Sequence, residues 1–115
     1  MLQEKIKIFK ALSDANRLRI LKMLQGKTLC VCEITAILKL ATSTVSSHLS
    51  MLKELGFIIE EKDGKWVNYK LNPHPSNQIV ANCLSQIPFW LEGEAVVKAD
   101  SECCKSVDRN TLCSK

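Results

Sequence analysis

Apolar residues recur at three- and four-residue intervals through the first half of the chain and at two-residue intervals just beyond it. Leu2, Ile6, Phe9 and Leu12 fall on one helical face, with Lys5, Lys7 and Lys10 on others, which predicts an amphipathic helix ending near Ser13. Ser13 or Asp14 can cap a second helix, whose apolar positions are Leu18, Leu21, Met23 and Leu24 and whose stop is Gly26. A third, shorter helix is expected over 29–39, with Ile34, Ile37 and Leu38 inward. A fourth follows Leu40, buried through Val45, Leu49, Leu52 and Leu55 and ended by Gly56.

From Phe57 the period changes. Segments 57–61 and 65–71 are strand candidates separated by Lys62, Asp63 and Gly64, and Asp-Gly is a strong hairpin signal. After Pro73 and Pro75, helical spacing resumes from Ser76 through Ile79, Val80, Cys83, Leu84 and Ile87, and Pro88 should kink that helix. Trp90, Leu91, Val96 and Val97 extend the apolar content, whereas the sequence from about Lys98 is polar and aperiodic. The expectation is a mainly α domain with a small β-hairpin over 1–97, then a flexible, cysteine-containing tail over 98–115.

At 115 residues the chain fits one small domain whose limited core would gain from pairing with a second copy. Net charge is +4, unevenly spread: 1–75 carry twelve Lys or Arg against seven acids, and 76–115 four against five. The positive field therefore belongs to the first two thirds, where a polyanion would dock. No segment reaches the ~20 apolar residues of a membrane span, and the start, MLQEKIKIFKAL, mixes charge with hydrophobe where a signal peptide would not. A cytoplasmic setting with no membrane partner is the expectation, and there six cysteines suggest metal, metalloid or redox chemistry over a disulfide scaffold.

The fourth helix carries the DNA-reading chemistry. A helix in the major groove needs small hydrogen-bonding side chains near its N-terminus and apolar ones behind. Thr42, Ser43, Thr44, Ser46, Ser47 and His48 supply the first set; Val45, Leu49 and Leu52 supply the second. Hydroxyls discriminate bases only modestly, so affinity should come from Lys53, Lys62, Lys65 and Lys70, with Arg17 and Arg19, on phosphates. No Gly-rich phosphate loop, HExxH or nucleophile, acid and base set is present, and no enzyme is expected.

Together, ALSDANRLRILKML, LCVCEI, STVSSHLSMLKELGFI and DGKWVNYKL resemble the ArsR/SmtB family of winged helix-turn-helix repressors over about residues 9–71. The resemblance implies a homodimer on a palindromic double-stranded operator, released when an effector is captured. It assigns 29–39 as the positioning helix, 41–55 as the reading helix and 59–71 as the wing, with the first helix and the segment from Ser76 as the dimer interface. Where the family has a capping residue this chain has Ala41, so Thr42 is expected to cap instead.

The thiols divide into groups. Cys30 is placed at the N-cap of the third helix and Cys32 in its first turn, where the helix dipole should depress their pKa values. LCVCE resembles the metalloid signature of arsenite and antimonite sensors, in which a further cysteine often lies one place beyond Ile34; here that place is Thr35. Cys103, Cys104 and Cys113 resemble the C-terminal thiol cluster of other arsenic-responsive members, and this trio is the favoured site for trivalent arsenic or antimony, including methylarsenite. Cys30 and Cys32 are the alternative site, and Cys83 on an apolar stripe reads as a core or interface residue. His48 and His74 lie outside 76–91, which argues against a nitrogen- and carboxylate-ligated zinc site there. No organic cofactor is implied. Rival readings are a thiol redox or persulfide sensor using Cys32 or Cys83 with Cys103 or Cys104, a cadmium or lead sensor, and a metal-binding interaction module that does not bind DNA.

Overall fold

The protein is described by a computed structural model covering residues 2–107. Six α-helices and a three-stranded antiparallel sheet follow in the order α1 (Leu2–Leu12), α2 (Ala15–Gly26), β1 (Leu29–Cys30), α3 (Val31–Leu38), α4 (Thr42–Leu55), β2 (Ile58–Asp63), β3 (Trp66–Leu71), α5 (Gln78–Gln86) and α6 (Ala95–Ser106). The mainly α architecture with a hairpin wing is thus the one the apolar periodicity predicts.

Helix boundaries follow local chemistry. Asp14 caps α2, its Oδ1 accepting from the amides of Asn16 at 2.8 Å and Arg17 at 3.1 Å. Partial burial pushes the Asp14 carboxyl up, but the Arg17 amide, the Arg17 charge and the Asn16 amide bring it below the usual range. A carboxyl so lowered contributes fully above its unfolded value, about 4, and loses that contribution as pH falls through the folded value. Asp14→Ala is expected to destabilise the fold by about 1 kcal/mol at neutral pH; thermal melts at pH 7 and below pH 3 should show the difference from wild type shrinking in acid.

Gly56 ends α4 at φ 93°, its amide donating to Lys53 O and the Phe57 amide to Leu52 O, the paired bonds of a left-handed helix stop. This turn sends Phe57 and Ile58 into the core, in one buried cluster with Leu49, Leu52, Ile20 and Ile34. In the wing the register pairs Asp63 with Trp66, so Gly64 and Lys65 form the turn, with Gly64 at φ 62°.

Four expectations are corrected. The third helix begins at Val31, because Leu29 and Cys30 pair with Tyr69 and Asn68 of β3 as the sheet's other edge, giving strand order β1-β3-β2. A two-residue strand has no periodicity to betray it. Ala41, not Thr42, occupies the N-cap of α4 and offers no side-chain bond; its carbonyl accepts from Thr44 and Val45. The tail expected to be loose from Lys98 is helical through Ser106, with Asp100 and Cys104 buried against α2 and α3. The cause is a tertiary ion pair: Arg19 of α2 makes a two-pronged contact with Asp100, Nε to Oδ2 at 2.8 Å and Nη2 to Oδ1 at 2.9 Å. The fourth concerns the Cys30 thiol and is taken up with the site below.

Pro88 lies in a short 3₁₀ turn, Ile87–Phe89, that ends α5 as its missing amide demands. Among the described residues no helix is long and apolar enough to cross a membrane.

Candidate nucleic-acid interface and thiol groups

Helix α4 divides cleanly. Val45, Leu49 and Leu52 are buried, and Thr42, Ser43, Thr44, Ser46 and Ser47 are exposed. Their spacing around 3.6 residues per turn puts the apolar triplet on one face and the hydroxyls of the first turn and a half on the other. Because Ala41 gives no side-chain cap, the first amides of α4 stay available to an anion.

The cations expected beside the hydroxyls are distributed differently. Lys53 forms an ion pair with Glu60 on β2, whose carboxylate raises the Lys53 pKa and is itself lowered by the contact. This tie spans α4 and the wing across exposed surface, so its strength falls with salt. Lys65 sits over the Trp66 ring, 4.8 Å from its centroid, which holds a cation at the wing tip. Lys62 is exposed on β2, and Lys70 pairs with Glu61 at 3.3 Å. Arg19 is committed to Asp100, and Arg17 to α1 carbonyls and His48, so neither stands free toward phosphate. His48 is half-buried, with Nδ1 3.1 Å from Arg17 Nη1.

The thiols are set in unequal surroundings. Cys30 is buried at the N-cap of α3, and its amide donates to Glu33 Oε1 at 3.0 Å. Burial pushes the Cys30 thiol up; the Glu33 amide opposes this, while the Glu33 carboxylate adds to it. The expected depression at Cys30 is therefore overturned, because desolvation of a thiolate in the core outweighs the helix-end field. Cys32, half-buried in the first turn, is itself engaged in a contact. Cys83 is buried on α5 and its thiol is raised by burial alone.

Cys103 and Cys104 occupy the last turn of α6, the first exposed and the second buried. Burial raises the Cys104 thiol and the Lys27 charge partly offsets it. Lys27 Nζ also donates to the Cys104 carbonyl at 2.6 Å, tying the end of α6 to the end of α2. Cys113 lies outside the described residues. Among those residues no three His, Cys, Asp or Glu side chains are already gathered as a metal cage.

Asp100, which organises this region, escaped sequence reasoning, and Arg17 was expected on phosphate where it instead joins α1 and α4. Asp100 lies four residues before Cys104, and with Val97 it marks a helical face; the signal was present but broken by a carboxylate in a core position. Arg17 carried no local signal for its contacts with α1 and α4.

The sequence matches a family model described as bacterial regulatory protein, arsR family, over residues 14–60. It is 41% identical over 70 residues to the arsenical resistance operon repressor of Escherichia coli (strain K12), covering 60% of each chain. It is 38% identical over 98 residues to the arsenical resistance operon repressor of Bacillus subtilis (strain 168), covering 84% of this chain and 86% of that one. Reduced HlyU from Vibrio cholerae N16961 has a similar structure, with TM-score 0.62, 26% identity, and coverage of 78% of this chain and 92% of that one.

Proposed function

This chain belongs to the ArsR family of bacterial regulatory proteins, and from that premise we propose that it is a homodimeric transcriptional repressor of operator DNA, released by trivalent arsenic or antimony. The observation that carries the DNA reading is the exposed hydroxyl face of α4 opposite buried Val45, Leu49 and Leu52, adjoining a wing with Lys62 and Lys65. Ser43, Thr44, Ser46 and Ser47 read base edges, Thr42 and the free amides of the first turn hold a phosphate, and Lys53, Lys62 and Lys65 set the register. His48 borders this surface. The exposed apolar residues Leu2, Ile6 and Phe9 of α1, with α5 nearby, serve as the surface that a second copy covers.

The effector reading rests on the arsenical-resistance relatives and on the placement of Cys103 and Cys104 at the end of a tethered helix. Neighbouring residues on a helix point about 100° apart, so one pyramidal ion cannot take both sulfurs while the last turn stays wound. With Cys113 as third ligand, capture unwinds that turn, pulls Cys104 from the core and breaks the Lys27 bond to its carbonyl. Loosening α6 from α2 and α3 then shifts the population away from the DNA-compatible arrangement. Cys30 and Cys32 form the alternative site, at which distortion of α3 would reach α4 directly.

The test is fluorescence anisotropy of the reduced protein on a twofold-symmetric duplex, with and without arsenite. Trivalent arsenic should weaken wild-type binding by about 10- to 100-fold, an ordinary coupling range. Cys103→Ser/Cys104→Ser should bind equally well and ignore arsenite. Full release of that variant would move the sensor to Cys30 and Cys32; release by cadmium or by mild oxidant but not by arsenite would discard arsenic as effector.

A further inference from the structure

We propose that Arg17 is a positioning residue that fixes the reading helix against the first helix, and that it acts through His48 and not through the DNA backbone. This rests on the DNA-binding reading above and adds what sets the geometry of that binding.

A single guanidinium meets three partners. Arg17 Nε donates to Ala11 O at 2.8 Å and Nη2 to Lys10 O at 3.3 Å, while Nη1 lies 3.1 Å from His48 Nδ1. The Arg17 amide is in turn held by the Asp14 carboxylate. The residue thus stands where α1, α2 and α4 meet, three elements that pack pairwise on one another. The two carbonyls belong to the last turn of α1, outside its helical hydrogen-bond ladder, and that of Lys10 also accepts from the Ser13 amide at 3.1 Å and the Ser13 hydroxyl at 2.7 Å.

Donor and acceptor roles at the histidine follow from chemistry. A guanidinium has only donors, so Nδ1 accepts and the ring hydrogen sits on Nε2. The planar fork is what lets one side chain serve two α1 carbonyls and an imidazole together; an ammonium at the end of a lysine stem cannot span that arrangement. The charged groups around the contact are Lys7 and Lys10 on α1, Asp14 on α2 and Glu54 on α4.

The functional consequence is geometric. With α1 in the dimer interface, the angle between α1 and α4 sets the distance between the two reading helices, and half-site spacing follows that distance. Loss of the clasp therefore weakens binding by misplacing α4, with no change in the number of phosphate contacts.

The experiment combines nitrogen-15 NMR of the His48 ring with binding to a twofold-symmetric duplex that wild type selects from a randomised pool. Wild-type His48 should show the Nε2–H tautomer, and Arg17→Lys should abolish that preference. Arg17→Lys and His48→Ala should each lower duplex affinity about tenfold, the double variant no further, since the two act as one unit. His48→Gln, whose amide oxygen can accept from Arg17, should restore most of the affinity. The slope of log affinity against log salt should stay at its wild-type value in Arg17→Gln; a slope reduced by about one would make Arg17 a phosphate ligand and overturn the proposal. Wild-type affinity in Arg17→Lys, or single losses that multiply in the double variant, would also overturn it. If Arg17→Lys fails to fold, the His48→Ala and His48→Gln pair decides by the same criteria. Failure of wild type to select any duplex would instead remove the DNA-binding reading itself, and this role of Arg17 with it.

Discussion

Glutamate at both Ser46 and Ser47 should lower duplex affinity by roughly 1,000-fold or more while leaving the melting temperature close to wild type. Two physical effects add. The hydroxyls that would meet base edges are lost, and two carboxylates per subunit are placed against phosphates, a like-charge juxtaposition that costs several kcal/mol. Each 1.4 kcal/mol is about tenfold in affinity. The fold should not notice, because both side chains are exposed on α4 and Glu is a better helix former than Ser. Anisotropy titration beside a thermal melt separates the two effects. A variant that stays folded and binds within tenfold of wild type would mean that this face of α4 does not approach DNA.

The second large effect concerns stability. Asp100→Ala should destabilise the protein by about 2 to 3 kcal/mol, below the full cost of orphaning a buried charge because the Arg19 side chain keeps 21% of its exposure. At the entropy of unfolding of a domain this size, the melting temperature should fall by roughly 10 °C. The loss should be local in origin: α6 docks through Asp100 and Cys104, so freeing it should also speed modification of the Cys104 thiol by an aromatic disulfide reagent. Asp100→Asn, which still accepts from Arg19, should fall between. An unchanged melt and an unchanged labelling rate in Asp100→Ala would show that the ion pair does not hold α6 down.

That pair also marks the limit of what linear pattern can tell. Residues whose partners lie within a few positions were legible: Asp14 capping its own helix, Gly56 stopping α4, a hairpin turning at Gly64, though one residue later than the expected Lys62, Asp63 and Gly64, and Val45, Leu49 and Leu52 choosing the buried side of the reading helix. Each is decided by backbone geometry or by the period of a single element, so amino-acid order alone was sufficient. The exposed hydroxyls of α4 followed directly, since burying one face of a helix leaves the other outside.

Contacts across the fold were not legible. Leu29–Cys30 becomes a strand only because β3 arrives beside it 40 residues later by register, Leu29 to Tyr69. The 98–106 segment reads as polar tail until Arg19, 81 residues away, neutralises Asp100 and lets that face pack. Cys30 looks like an activated thiol from its helix-end position, yet the core that closes over it raises its pKa, because the cost of taking a thiolate from water depends on neighbours the local sequence does not contain. Sequence determined the periodic elements from α2 to α5, the buried face of the reading helix and the family; tertiary structure alone decided β1, the helix over 95–106, which charges are spent inside the protein and which thiols are shielded, because pairing and desolvation are properties of residues brought together from distant parts of the chain.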